Sequence, residues 1–600
     1  MHSYKYETMT DVKRLFDFPY YQLAQYPQEG ALVSKVNGEW IKTSTQEYID
    51  KANAISRGLI KLGVQPNDKV AIISMTNRTE WNICDIGILQ TGAQDVPIYP
   101  TISEEEYEYV LNHSESQYCF VSCTEVLEKI NKIKGNVPTL KGVYSFDEIG
   151  SCDNWSEVLK LGDENLDLQE EVEKRKAAVH EDDLATLIYT SGTTGKPKGV
   201  MLSHKNIASN AKHSRGRLPI EMGNSKALSF LPVCHIYERM LLYMYQYCGV
   251  SIHFAESLET ISDNLKEVKP EVMTAVPRLL EKVYDKIIAK GTDLTGIKKK
   301  LFFWAVGLGL KWEPYGQNGG WYEFKLKIAR KLIFSKWQEA LGGNLKAIAS
   351  GSAALQPRLA RVFNAADCPV MEGYGLTETS PVVSVNDMRN GGFRIGTVGK
   401  ALPDTEVKIA EDGEILIKGP QVMQGYYKDP EKSAEVLKDG FFHTGDIGII
   451  DEDGFLKITD RKKSMFKTSG GKYVAPQLIE NAMKQSRFIE QILVVGEGEK
   501  MPAALIQPNW EFVADWSERK EKNIPTDPKE AYTNEVLIKR INKEVEKFNE
   551  RFGKWEKIKK FELTPDIWSI EDGHLTPTMK MKRKVIKQKY MDLYNKIYEK

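Results

Sequence analysis

Between Thr45 and Val250 apolar runs of five or six residues alternate with helix-length amphipathic segments. Thr45–Leu62 reads as a helix and Lys69–Ser74 as a strand; Thr79–Thr91 is a second helix and Ala93–Ile98 a second strand. The next helix is entered at Ser103, with Glu104, Glu105 and Glu106 in its first turn, where the helix dipole favours anions. Short apolar runs separated in this way predict βαβ units whose parallel strands are covered on both faces. After about Asp404 the pattern changes. Glu406–Ala410, Glu414–Lys418 and Gly448–Ile450 are short strand candidates set off by Glu411-Asp412-Gly413 and Asp451-Glu452-Asp453-Gly454 turns, which predicts a β-rich subdomain. From about Thr468 helices and strands mix again, and Val585–Lys600 reads as a lysine-rich helix. Asp460-Arg461-Lys462-Lys463 is a charge cluster between apolar strands and reads as a linker.

Length and charge narrow the picture. A single core stops growing at roughly 250–300 residues, so 600 residues imply two or more domains. Lys+Arg total 82 against 83 Asp+Glu, a net charge of −1 that offers no global attraction to nucleic acid. Cys119 and Cys123 stand four apart, but no second Cys or His pair at ligand spacing lies nearby. The seven cysteines are therefore expected to be reduced thiols, as in the cytosol, and not a zinc site or a disulfide framework. Met1–Val12 is polar and lacks a signal-peptide core, and the longest apolar run, Leu301–Leu310, is about half of a membrane-spanning helix. The expectation is a cytoplasmic chain, peripheral at most to the inner face of a membrane.

The most informative stretch is Leu187-Ile-Tyr-Thr-Ser-Gly-Thr-Thr-Gly-Lys-Pro-Lys-Gly-Val200. A buried strand runs into residues made only of Thr, Ser, Gly, Lys and Pro. Gly192, Gly195 and Gly199 let backbone N–H groups approach a polyanion. Thr190, Ser191, Thr193 and Thr194 add hydroxyls, and Lys196 and Lys198 add charge. It is not a Walker A loop, because Thr stands at 190 where glycine is needed and Pro197 follows the lysine. A flexible linker would not follow a buried strand and carry two lysines.

Tyr189–Gly199 closely resembles the signature of the adenylate-forming superfamily, which includes acyl-CoA synthetases, peptide-synthetase adenylation domains and luciferases. Further motifs follow in that family's order. Gly351-Ser352-Ala353-Ala354 resembles its small-residue turn at the adenine. Glu372-Gly373-Tyr374-Gly-Leu-Thr377-Glu378 resembles its central motif, which implies Tyr374 on the adenine, Thr377 on the phosphates and Glu378 as ligand to Mg²⁺. Asp446 in His443-Thr-Gly-Asp446 is implied at the ribose hydroxyls, and Arg461 at the ribose or phosphates. In Leu575-Thr-Pro-Thr-Met-Lys-Met-Lys-Arg583, Lys580 fits the catalytic lysine, with Arg583 three residues on; the family often has Ser-Gly before this lysine, where this chain has Thr578-Met579. Gly470-Gly471, before Lys472-Tyr473-Val474, resembles the loop at the pantetheine arm of CoA.

The resemblance covers roughly residues 45–590. It implies a large N-terminal adenylation domain (1–459) of βαβ-type sheets plus the β-rich subdomain, a hinge (460–465), and a small mobile α+β domain (466–600) that carries Lys580. It implies ATP, Mg²⁺ and CoA as cofactors, and two half-reactions served in turn by Lys580 and by the Gly470-Gly471 loop. Leu231–Arg239 resembles the acyl-pocket segment of long-chain synthetases, with His235 near the reacting carboxylate, as packing or gate before acid or base. Val276–Tyr284 and the insertion at about 290–343 also resemble the long-chain branch, so a fatty acid is the expected substrate. The insertion interleaves Phe302, Phe303, Trp304, Trp312, Trp321, Tyr322 and Trp337 with lysines, as at a water–lipid boundary or in amphipathic helices over an acyl tunnel. Two other readings stay open: a ligase that delivers to a carrier protein, and a lipid-binding scaffold without chemistry. The sequence does not give the oligomeric state.

Overall fold

Three helices begin with reciprocal caps that fix where each chain segment turns. Ser44 and Glu47, Ser103 and Glu106, and Ser203 and Asn206 each satisfy the other's backbone N–H, at the starts of Thr45–Lys61, Glu104–Ser114 and His204–Arg215. A computed structural model describes residues 10–190, 196–389, 391–576 and 579–599. The described residues form two compact units.

The first unit runs to Val407 and includes Ile417–Phe442 and Glu452–Leu456. Among its described residues lie an eight-stranded and a nine-stranded sheet. In the eight-stranded sheet Leu184–Thr190, Gln94–Ile98, Lys69–Ile73, Ser116–Val121, Gly142–Ser145 and Asp153–Asn154 pair in parallel, as the βαβ pattern predicts. In the nine-stranded sheet the parallel set is Leu32–Val36, Ser251–Phe254, Lys226–Ser229, Val272–Ala275, Ala347–Ser350 and Val370–Gly375. Both sheets are covered on both faces. Val70 and Ile72 join a core shared with Ala227, Ile252 and Val272 of the other sheet, through helices Thr79–Gln90 and Ile236–Tyr247. Ala71 and Ile73, one residue out of phase, face the outer helices instead. Each fully buried Val or Ile among these contributes roughly 1.5–3 kcal/mol.

The parallel order ends where the motifs begin. Leu184–Thr190 is followed by Lys198–Ser203, and the two pair antiparallel with Thr190 opposite Lys198. Val370–Gly375 is likewise followed by Val382–Val385, antiparallel, with Tyr374 opposite Ser384. A parallel return needs a crossover of a dozen or more residues, so connections this short force a hairpin. The phosphate loop and the central motif thus both lie where a parallel sheet reverses.

The second unit comprises Lys408–Leu416, His443–Asp451 and Lys457–Lys600. Its C-terminal part is a three-stranded sheet, Ile489–Val495, Ala503–Pro508 and Lys560–Leu563, packed with helices Pro476–Met483 and Glu535–Asn549. Three local expectations are revised. The strand foreseen at Gly448–Ile450 begins at Phe441, because the His443–Asp446 motif is itself extended. Asp460, which is buried, and Arg461 end the strand Leu456–Arg461, so the charge cluster begins on a strand. The lysine-rich tail is two helices, Arg583–Lys589 and Met591–Tyr598, broken at Tyr590, which is buried on Trp568.

Candidate active site

Ser191, Gly192, Thr193 and Thr194 lie outside the described residues, and the structure places what flanks them. On the entering strand, the Tyr189 hydroxyl meets His113 Nδ1 at 2.8 Å, and a Cβ on Gly199 opposite would stand 3.2 Å from the Tyr189 ring. A side chain at 199 would therefore have to displace the Tyr189 ring by a few tenths of an ångström. Lys196 lies 5.1 Å over the ring of Tyr109, and Lys198 5.1 Å over the ring of Tyr426. Gly425–Tyr426 adds a short antiparallel strand to Lys198–Ser203.

Tyr426 connects the phosphate hairpin to the central motif. Its hydroxyl donates to Glu378 Oε1 at 2.9 Å, and the Met423 N–H donates to the Glu378 carbonyl at 2.9 Å. Burial and the Glu378 carboxylate both push the Tyr426 phenol up, so it stays a donor. The 420–423 segment is held from behind by Asn206, whose Nδ2 donates to the carbonyls of Pro420 and Val422. Asn210, one helical turn on, exchanges two hydrogen bonds with Val382. Tyr374, Thr377 and Glu378 are all half-buried. Gly375 between them has no alternative, because a Cβ there would meet the Pro381 carbonyl oxygen at 1.8 Å. Gly373 is tight too, 3.2 Å from the Ser384 carbonyl oxygen.

Glu372 faces the interior. Strand pairing sets it beside Ser350, and its Oε1 accepts the Leu355 N–H at 2.8 Å, which fastens the Gly351–Ala354 turn. Burial pushes its carboxyl up to about 8. Gly351 lies against Tyr237, where a Cβ would stand 3.2 Å from the ring, and Ser352 takes φ 70°. Ser352 and Ala353 are exposed. His235, half-buried, caps helix Ile236–Tyr247: its Nδ1 accepts the Tyr237 N–H at 3.1 Å, and its ring meets Tyr99 edge-on at 6.4 Å. The accepting Nδ1 leaves the proton on Nε2.

In the second unit Asp446 is buried and Arg461 Nε lies 3.1 Å from its Oδ1. The turn that presents Asp446 is held by Glu414, which accepts from the Gly445 N–H at 2.8 Å and from Lys462 Nζ at 2.9 Å. Burial pushes the Asp460 carboxyl up to about 6. Gly470 and Gly471 form the exposed tip of a hairpin between Phe466–Lys467 and Tyr473–Val474, with Gly471 at φ 74°. Lys580 is exposed on another tight turn: its carbonyl accepts the Thr576 N–H at 2.8 Å and its own N–H donates to Thr576 Oγ1 at 3.1 Å. Met579, before it, takes φ 60°. Arg583 is bound to Glu480 and so serves the fold of this unit.

Tyr426, Glu414, Asn206 and Asn210 were not foreseen. The only local hint was the Gly425-Tyr426-Tyr427 run, which carries no chemistry until its strand is paired.

The profile described as AMP-binding enzyme matches residues 20–427, and that described as AMP-binding enzyme C-terminal domain matches 464–600. The long-chain-fatty-acid–CoA ligase FadD15 of Mycobacterium bovis is 36% identical over 569 residues, covering 94% of each chain. Fatty acyl-CoA synthetase B of Dictyostelium discoideum is 33% identical, covering 94% of this chain and 85% of its own. Among solved structures, a Mycobacterium tuberculosis fatty acyl CoA synthetase superposes with a TM-score of 0.62 at 19% identity, over 97% of this chain and 99% of that one. An anthranilate CoA ligase bound to anthranoyl-AMP gives 0.69 at 20% identity, over 98% and 99%. At such identities the superpositions speak for the fold alone.

Proposed function

The chain belongs to the AMP-binding enzymes, and from that premise we propose that it is an ATP-dependent fatty acid–CoA ligase. The observation that carries the reading is the joining of the phosphate hairpin to Glu378 through Tyr426. In the first half-reaction a fatty-acid carboxylate oxygen attacks the α-phosphorus of ATP; the bond to the β-phosphate oxygen breaks, and pyrophosphate leaves. In the second the CoA thiolate attacks the acyl carbonyl carbon and AMP leaves, giving the thioester.

Both steps gather negative charge, and this chain's residues are suited to offset it. The 190–198 hairpin and Thr377 bind phosphates. Tyr374 and the Gly351–Ala353 turn take the adenine, with Glu372 holding that turn from beneath. Asp446, oriented by Arg461, accepts the ribose hydroxyls. Among the described residues no group of three or more His, Cys, Asp or Glu could hold an ion by protein ligands alone. One half-buried carboxylate with one oxygen already fixed suits Mg²⁺, which takes few protein ligands and completes its shell with phosphate and water. When bound, Mg²⁺ would neutralise phosphate charge. Glu378 would hold it.

Lys580 serves adenylation by bridging the carboxylate and the α-phosphate, and the Gly470-Gly471 hairpin serves the thiol step. We assign the change between them to a hinge at 460–465, dividing an adenylation domain (1–459) from a lid (466–600). The insertion at 290–343 and the named relatives support a long-chain substrate. From the aromatics and lysines interleaved in that insertion we infer peripheral contact with a membrane, where such substrates partition, by a cytoplasmic protein. Among the described residues no helix is long and apolar enough to cross a membrane.

The test is a fatty-acid panel from acetate to oleate, with ATP, Mg²⁺ and CoA, assayed for AMP and thioester. Thioester formation peaking between laurate and oleate is expected. Acyl-adenylate without thioester would point to a carrier-protein acceptor, and no turnover of any acid would sink the reading.

A further inference from the structure

Helix Gly320–Ala329, with its continuation Arg330–Phe334, carries apolar residues on two sides. The inner stripe, Tyr322, Leu326, Ala329 and Phe334, is buried in the core over the nine-stranded sheet. The outer stripe is Trp321, Phe324, Ile328 and Leu332, which are 71%, 54%, 37% and 49% exposed. At about 100° per residue these four fall within roughly 80° of one face. A stripe spaced for packing is here turned outward. Trp321 and Phe324 stack at 5.6 Å, and Lys325 Nζ lies 5.7 Å over Trp321. On the same helical wheel Lys325 and Lys331 flank the stripe on either side. The neighbouring helix, Gly296–Gly309, is tied in by the Tyr322 hydroxyl, which donates to the Leu308 carbonyl at 2.7 Å. It exposes Ile297 and Leu301 beside Lys298 and Lys300.

Charge decides what such a face can meet. Residues 290–343 hold ten Lys+Arg against four Asp+Glu, a surplus of six on a chain whose total is −1. Two copies of this face would repel each other. An anionic bilayer would attract it, with indole at the headgroup level and lysine stems lying along the apolar boundary.

We propose that the face formed by Trp321, Phe324, Ile328 and Leu332 seats the protein on the surface of an anionic lipid bilayer. The inference rests on the fatty-acid reading above for its purpose, and on exposure and charge for its geometry. It brings the protein to the surface that holds its substrate.

The test is sedimentation of the full chain with phosphatidylcholine vesicles, with and without about 30% phosphatidylglycerol, in the absence of ATP and CoA. Binding to the anionic vesicles at least tenfold stronger than to the neutral ones, and weakening with salt, is expected. The double variants Trp321→Ser/Phe324→Ser and Lys325→Glu/Lys331→Glu should each lose tenfold or more, with thermal unfolding that matches the parent. Indifference to anionic lipid, variants that bind like the parent, or self-association abolished by Trp321→Ser would each overturn the proposal. Because no turnover is measured, failure here leaves the fatty-acid panel readable, and failure of the panel leaves vesicle binding readable.

Discussion

The Tyr426 hydroxyl donates to the Glu378 carboxylate at 2.9 Å, across 48 residues of chain. Glu378 is thereby fixed by a group on the strand that also borders the phosphate hairpin, so one residue sets two motifs against each other. A hydrogen bond to a charged group contributes about 1.5–3 kcal/mol. Tyr426→Phe should therefore slow ATP–pyrophosphate exchange by roughly 10–100-fold and raise the Mg²⁺ concentration needed for half-saturation. Glu378→Gln should cost more. Exchange by Tyr426→Phe at the parent rate and Mg²⁺ dependence would reduce Tyr426 to packing.

Glu238 and Arg239, adjacent in sequence, anchor helix Ile236–Tyr247 to different sheets. Glu238 accepts from Ser229 and Thr274 of the nine-stranded sheet, while Arg239 lies 2.9 Å from Asp95 and donates to Thr186 of the eight-stranded sheet. Arg239 also binds Asp85 at 2.7 Å, with all three charged groups buried. Arg239→Met would leave two carboxylates uncompensated, at a cost of about 3–5 kcal/mol in urea unfolding. Arg239→Lys should recover only part, because one ammonium lacks the guanidinium fork that serves several acceptors.

These pairs show what was legible in the sequence and what was not. Apolar runs and the Ser103 cap are local, so the strands at 69–73 and 94–98 and the helix after Ser103 could be read directly. A role for Tyr189–Gly199 could be proposed from its glycines, hydroxyls and lysines, and one for Glu372–Glu378 from its resemblance to the family's central motif. The partners of Glu378, Asp446 and Arg239 could not. Tyr426 comes to Glu378, Glu414 to the Gly445 N–H and Asp85 to Arg239 only through strand pairing and helix packing, and nothing within a few residues of each reports the other end.

The Glu372 carboxyl is a pH-sensitive support beneath the 351–354 turn. Burial raises it to about 8 in the folded chain, against an ordinary value of 4.5. The folded state therefore holds a proton that the unfolded state has lost, and stability falls as pH rises between about 4.5 and 8. Each unit within that window is worth up to about 1.4 kcal/mol. Glu372→Gln keeps an acceptor for the Leu355 N–H and removes the titration. The parent should lose on the order of 1–3 kcal/mol relative to this variant between pH 6 and 8, read from urea midpoints. Parallel pH profiles would show that the carboxyl is ionised in the folded chain.

Lys580 and Met579 separate chemistry from presentation. Lys580→Ala should abolish adenylation yet still convert supplied acyl-adenylate to thioester; equal loss of both would argue against divided roles. Met579 holds φ 60° in the turn that displays Lys580, a conformation costing a side-chain-bearing residue about 1–2 kcal/mol. That strain is the physical reason a glycine suits this position. Met579→Gly removes it, although a freer unfolded chain offsets part of the gain, so adenylation should hold or rise slightly. Met579→Val adds a β-branch that fits the left-handed region worst and should depopulate the turn, slowing adenylation about tenfold. Thioester formation from supplied acyl-adenylate should not change in either variant. A valine variant that adenylates at the parent rate would mean that the turn does not position the lysine, whatever Lys580 itself contributes.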